Sequence, residues 1–246
     1  MAITISEQRG VRYLHFGTPW IQGAMRIARP YALELEYTRD LVVPLLLRDG
    51  AWPRSVLQVG LGSASITKYL HRFQPDAKLT VVEIAPEVVA AARQYFKLPD
   101  DDRIHIALED GHSFVGRSKA RWDLIILDGF DELGRAGMLD TVPFYMLCRE
   151  RLTRRGLMSV NLLTRTRGVG ASVDRMRTAF EDRVIAIPPS DAGNTVALAA
   201  AGAQIDEPFE GLRNQARALK AATGLDLLPT LARLAQASPG QDRLVL

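Results

Sequence analysis

The sequence predicts an α/β fold, a mainly parallel sheet covered by helices on both faces and preceded by a small N-terminal β-hairpin. Two observations carry this. From Ser55 onward short apolar runs alternate with amphipathic segments, the pattern of strands buried on both faces and joined by helices. Before Ser55 the pattern is the two-residue alternation of half-buried strands. The chain has 246 residues, which at about 150 residues per domain favours one large domain with a small appendage. We therefore expect a hairpin subdomain over 1–29 and a nucleoside-binding catalytic domain over 30–246.

Residues 3–5, 11–16 and 20–27 alternate as strands, with Gly17-Thr18-Pro19 as a turn. Pro30 is expected to open a helix running to about Leu47, kinked at Pro44. Strands follow at 55–59, 79–83, 103–107, 122–128 and 157–163, with helices near 65–73, 86–96, 141–152 and 171–181 between or after them. Strands 184–187 and 195–200, joined through Pro188, Pro189, Asp191, Gly193 and Asn194, read as a hairpin and hence an antiparallel edge. The tail 207–235 reads as helix, and 238–246 as an end free to fray.

Composition narrows the function. Apolar residues are 47% and charged residues 24%, which excludes a disordered chain or a coiled-coil rod. The net charge of +3 is too weak a field to argue for nucleic-acid binding. The arginines at 149, 151, 154, 155, 165, 167, 175 and 177 read as a solvated surface, with few aromatics among them for base stacking. Cys148, the single cysteine, excludes an intrachain disulfide and reads as a small buried hydrophobe. The four histidines show no metal spacing. No apolar run reaches membrane-spanning length and MAITISEQRG lacks a signal core, so the chain reads as soluble and cytoplasmic.

In such a sheet ligands bind beyond the carboxyl ends of the strands. After SVLQV comes Gly60-Leu61-Gly62-Ser63, a turn allowing backbone approach to a ligand, or simply a tight turn. Glu83 ends the next strand. A carboxylate there accepts both hydroxyls of a ribose, or else caps the following helix. Glu109-Asp110-Gly111 follows the third strand, where Asp110 suits an adenine amino group or a helix cap. Asp128-Gly129-Phe130-Asp131 closes the apolar run WDLIIL. Two carboxylates around a glycine turn suit binding and deprotonating an amine, although turn-forming is the simpler use.

Taken in order, VLQVGLGSA, Glu83 in VVEIAPEVV, EDG at 109–111, DGFD at 128–131, VPFYMLCRERL and LMSVNLL resemble the spermidine synthase (polyamine aminopropyltransferase) family, from about Val11 to Ala200. The resemblance implies a Rossmann-like sheet of the S-adenosylmethionine-methyltransferase type and a homodimer. It implies that Gln22, Gly60, Gly62, Ser63, Glu83, Asp110 and Gly111 hold decarboxylated S-adenosylmethionine. It implies that Asp128 is the base, with Asp131, Tyr31 and Tyr145 lining the channel of an amine acceptor such as putrescine, and that no metal or nucleic acid takes part. The chain departs from the family at Ser63, which replaces an aspartate, at Ala32-Leu33, at Gly129-Phe130, at Glu132 and at Leu162-Leu163. Ser63 keeps open a methyltransferase or aminocarboxypropyl transferase using S-adenosylmethionine itself. A silent nucleoside-binding homologue is the third reading.

Overall fold

The computed structural model describes residues 2–131, 134–163, 168–189, 193–237 and 240–246. Strands β1 (Ile3–Gln8), β2 (Val11–Phe16) and β3 (Gly23–Arg26) form a three-stranded antiparallel sheet, one strand more than the hairpin expected. Leu14 and Met25 bury its inner face against Ala91 and Phe96. An isolated sheet of this size is marginal in water, so this packing on the rest of the chain stabilises it.

The expected helix from Pro30 to Leu47 shrinks to α1 (Glu36–Leu41) and a 3-10 turn over Val43–Leu46. Pro44 offers no N–H and disfavours helix at the residue before it. Upstream, the Leu33 and Glu34 carbonyls accept from the Arg39 guanidinium, and Glu34 pairs with Arg26. These bonds hold the chain outside a helix.

The main sheet comprises β4 (Ser55–Val59), β5 (Lys78–Glu83), β6 (Ile104–Leu108), β7 (Trp122–Leu127), β8 (Leu152–Leu163), β9 (Val184–Ile187) and β10 (Asn194–Ala200), in the order β6-β5-β4-β7-β8-β10-β9. The first five are parallel, and β10 runs antiparallel to both β8 and β9. The hairpin was expected, but its second strand lies inside the sheet and its first forms the edge. Composition agrees: Val196–Ala200 is buried throughout, whereas Ile185 and Ala186 are only part-buried. One face carries α1, α2 (Ser65–Phe73) and the C-terminal helices, the other α4 (Gly111–Arg117), α5 (Val142–Glu150) and α6 (Val169–Phe180). Helix α3 (Pro86–Tyr95) packs beside β5 and the N-terminal sheet.

The tail is two helices, α7 (Phe209–Thr223) and α8 (Leu228–Gln236). Gly224 at φ 78° ends the first, and Asp226, ion-paired to Lys220 at 2.5 Å, accepts from the Leu228 N–H that begins the second. The end expected to fray is pinned where it is described. β11 (Asp206–Pro208) pairs with β12 (Arg243–Val245), and Leu244 and Leu246 are buried.

Three of the basic residues of 149–177 tie elements of the fold together. Arg149 donates to the Ala179 carbonyl and pairs with Glu181, Arg155 pairs with Asp49 and Arg175 with Asp140. Arg165 and Arg167 lie outside the described residues. Cys148 is fully buried among apolar side chains, which pushes its thiol pKa up.

Lys68 on α2 is fully buried, with its ammonium nitrogen donating to the Phe96 carbonyl at 2.7 Å. Burial, helped by Lys97, lowers its pKa from 10.5 to about 7. Between those values the unfolded chain holds the proton and the folded chain does not, so stability rises with pH across that window. Denaturant titrations at pH 7 and pH 10 are expected to show a larger gain for wild type than for Lys68→Met; equal gains would contradict a buried neutral amine.

Candidate active site

Strand order reverses at β4, whose neighbours are β5 on one side and β7 on the other. The crevice beyond their carboxyl ends is the topological switch point where such sheets bind ligands. Here the backbone closes tightly. The Asp128 N–H donates to the Val59 carbonyl at 2.9 Å, and that of Gly60 to Val82 at 2.8 Å. Gly60 has φ 92°, and a Cβ on it would overlap the Asp128 carbonyl. Only glycine lets the two strand ends approach this closely.

Glu83 is nearly buried at the end of β5. One carboxylate oxygen accepts from the Leu61 N–H at 3.0 Å and the other from Ala85 at 2.9 Å. The carboxylate is thereby fixed beside the glycine turn, with lone pairs left for further donors. Gln58, buried within β4, clamps the same turn. Its amide donates to the Gly60 carbonyl at 2.7 Å and accepts from the Thr67 hydroxyl at 2.8 Å. The Gln22 backbone reaches the turn from the N-terminal sheet, its main-chain carbonyl 3.3 Å from where a Gly62 Cβ would stand.

Ser63 is buried. Its hydroxyl bonds Ser65 at 2.9 Å, and a Cβ on Gly23 would lie 2.5 Å from it. Ser63 thus seats the N-terminal sheet on the glycine turn. Asp110 caps α4, accepting from the Ser113 N–H at 2.8 Å, and remains exposed. Gly111 lies against Val59, where a Cβ would stand 2.5 Å from a valine methyl. Two large apolar side chains, Ile84 at 69% exposure and Leu108 at 58%, stand in solvent directly after Glu83 and directly before Glu109.

Asp128 is part-buried and held on both oxygens. Asn161 of β8 donates to Oδ1 at 2.8 Å, and Tyr37 of α1 donates to Oδ2 at 3.4 Å. The Asn161 oxygen in turn accepts from Asn194 of β10 at 2.9 Å. Desolvation pushes the Asp128 pKa up to about 7. The Asn161 and Tyr37 hydrogen bonds work against that shift, and the Glu83 charge adds to it. Burial, with the neighbouring Asp128 carboxylate, also keeps the Tyr37 phenol protonated. The arrangement is a carboxylate poised near neutrality in a frame of donors, which suits a general base.

Among the described residues no group of three or more His, Cys, Asp or Glu side chains converges to hold a metal ion, and no helix is long and apolar enough to cross a membrane. Two open cavities, ≈ 490 and ≈ 600 Å³, lie at the opposite edge of the sheet, around Arg121, Arg154 and Arg54.

Residues 34–162 match the spermine/spermidine synthase domain. The chain belongs to this family. The polyamine aminopropyltransferase of Neisseria meningitidis serogroup A is 31% identical over 242 residues, covering 98% of this chain and 92% of the relative. A probable spermidine synthase from Corynebacterium glutamicum superposes with a TM-score of 0.73 at 22% identity, over 97% of this chain and 90% of that one. A spermidine synthase in complex with the transition-state analogue AdoDATO superposes at 0.60 and 24% identity, over 81% and 74%. The fold is thus that of the methyltransferase-like spermidine synthases.

Three expected site residues have partners of their own in the structure. Tyr31 is 37% exposed and stacks under the Arg72 guanidinium, 5.9 Å from the ring centre, and the tyrosine bonded to Asp128 is Tyr37. Both tyrosines fall in one stretch, and α1 starts too late to carry Tyr31 to the strand ends. Tyr145 is fully buried, and its hydroxyl donates to Asp140 at 2.8 Å, in a network with Ser172 and Arg175. It buttresses α5 against α6. Asp131 is ion-paired with Arg135 at 2.7 Å and accepts from its backbone N–H at 2.8 Å. Its charge is shared within its own turn. Glu132, another departure from the family, lies outside the described residues.

Asn161, Asn194, Tyr37 and Gln58 were not singled out from sequence. Asn161 and Gln58 left a signal, a lone amide inside an apolar strand run, LMSVNLL and SVLQV. Such an amide must find partners once buried.

Proposed function

We propose that this protein is an aminopropyltransferase of the spermidine synthase type, moving an aminopropyl group from decarboxylated S-adenosylmethionine to a small primary amine such as putrescine and releasing methylthioadenosine. The observation that carries it is Asp128, a donor-framed carboxylate with its pKa near neutrality, at the switch point of a sheet whose neighbouring strand ends suit a nucleoside. The residues present support the donor. Glu83 has free lone pairs beside the glycine turn, and Ile84 and Leu108 offer exposed apolar surface for the faces of a base.

When bound, the sulfonium donor supplies an electrophilic carbon and a neutral thioether leaving group. The chain's own residues supply position and proton transfer. Glu83 accepts the ribose hydroxyls, Asp110 the adenine amino group, and Gly60, Gly62 and Gln22 shape the turn beside them. Asp128 takes the proton from the attacking amine as the new C–N bond forms and the C–S bond breaks. Tyr37 and Asn161 hold its two oxygens, and Asp131 keeps the following turn in place. A cytoplasmic homodimer, acting without nucleic acid or membrane, belongs to the same proposal and rests on family membership.

The test is methylthioadenosine release from decarboxylated donor with putrescine, cadaverine and spermidine in turn, with calorimetric titration of both donor forms. Turnover with at least one amine is expected. Tight donor binding without release on any amine would overturn the reading in favour of a silent homologue.

A further inference from the structure

Arg233, on α8, lies far from Asp128 in sequence, yet the structure ties it to both arms of the frame around that carboxylate. One terminal nitrogen donates to the two oxygens of Asp40 at 2.7 and 2.8 Å, and the Thr230 hydroxyl donates to the same carboxylate at 2.6 Å. The other terminal nitrogen donates to the Pro188 carbonyl at 2.9 Å. Asp40 is buried, with 4% of its side chain exposed. It lies one turn beyond Tyr37 on α1, and Pro188 directly follows β9, which pairs antiparallel with β10, the strand that begins at Asn194. Tyr37 and Asn194 are the outer members of the two hydrogen-bond arms that reach Asp128.

Helix α1 has six residues and no side-chain N-cap bond. Its position therefore comes from tertiary contacts, since so short a helix does not hold itself. The other charges near the tether are Glu36, 3.7 Å from Arg233, and Arg39, bound to the carbonyls of Leu33 and Glu34. Neither replaces Arg233, because Glu36 is like-charged to Asp40 and the Arg39 guanidinium is committed to the Leu33 and Glu34 carbonyls.

We propose that Arg233, through buried Asp40 and the Pro188 carbonyl, is a positioning residue that sets the Tyr37 hydroxyl and the Asn194–Asn161 arm against Asp128. The proposal rests on the assignment of Asp128 as the base. It adds a contribution from the C-terminal helix, which lies outside the matched family domain of 34–162.

The test is a double-mutant cycle. Arg233→Met in the wild-type background is expected to lower kcat by about 10- to 100-fold, the range for a misplaced catalytic group, while methylthioadenosine affinity is unchanged. Combined with Tyr37→Phe it is expected to lower kcat by less than about threefold further, because residues acting through one another do not add. Arg233→Lys is expected to recover part of the loss. The carboxyl carbon of Asp128, followed by NMR against pH, is expected to titrate higher in Arg233→Met and in Tyr37→Phe, since the Tyr37 bond holds that pKa down. If Arg233→Met does not fold, the pair Asp40→Asn with Arg233→Met removes both charges together and makes the same comparison without a stranded buried ion. A folded variant with an unmoved Asp128 titration, or a full loss of kcat still present in the Tyr37→Phe background, would overturn the proposal. The NMR readout needs no turnover, so it separates this failure from failure of the aminopropyltransferase assignment.

Discussion

Asp128→Asn is expected to lower turnover by about 10²–10⁴-fold, the usual contribution of a positioned base, with methylthioadenosine affinity nearly intact. Asparagine keeps the shape and one acceptor oxygen for the Asn161 amide, but its NH₂ cannot accept the Tyr37 hydroxyl proton and it takes no proton from an amine. In the wild type, activity is expected to rise with pH through about 7 as the carboxylate forms. Stability moves the other way. The pKa is raised on folding from 3.8 to about 7, so between those values the unfolded chain has lost its proton and the folded chain still holds it. Stability is highest below that window and falls as pH rises through it. Asp128→Asn is therefore expected to melt higher than wild type at pH 8, with the advantage vanishing near pH 4. An inactive variant less stable at pH 8 would mean that the carboxylate is not carrying a desolvation cost. Full activity would mean that another group is the base.

Glu83→Ala is expected to weaken nucleoside binding by about 2–4 kcal/mol, the cost of unpaired buried partners, which is roughly 30- to 800-fold in Kd. Two effects combine. The ribose hydroxyls lose their acceptor, and the Leu61 and Ala85 N–H groups lose the anchor that shapes the glycine turn. Glu83→Gln separates them, since its carbonyl still serves one N–H but its NH₂ cannot accept a hydroxyl proton. Its affinity is expected to lie between wild type and Glu83→Ala, with a melting temperature closer to wild type. Calorimetric titration reads both variants, and unchanged affinity in Glu83→Ala would remove the ribose role.

What the sequence determined by itself is whatever local chemistry specifies. Apolar runs bounded by turn residues located β4 to β10, because a strand buried on both faces must be apolar throughout and must end where the chain turns. The same logic located Gly60, Glu83 and Asp128, since polar residues closing apolar strands of a parallel sheet all fall on one edge. Tertiary structure alone decided which side chains meet across that edge. Tyr37 rather than Tyr31 reaches Asp128 because the Arg39 bonds hold the Leu33 and Glu34 carbonyls outside the helix, so α1 begins only at Glu36. Asn194 reaches Asn161 because β10 inserts beside β8 instead of forming the edge. Arg233 reaches Asp40 because Gly224 breaks the tail and returns α8 to the start of the domain. Each of these pairings joins segments far apart in the chain and depends on strand order, a helix break and burial together, which no local pattern encodes.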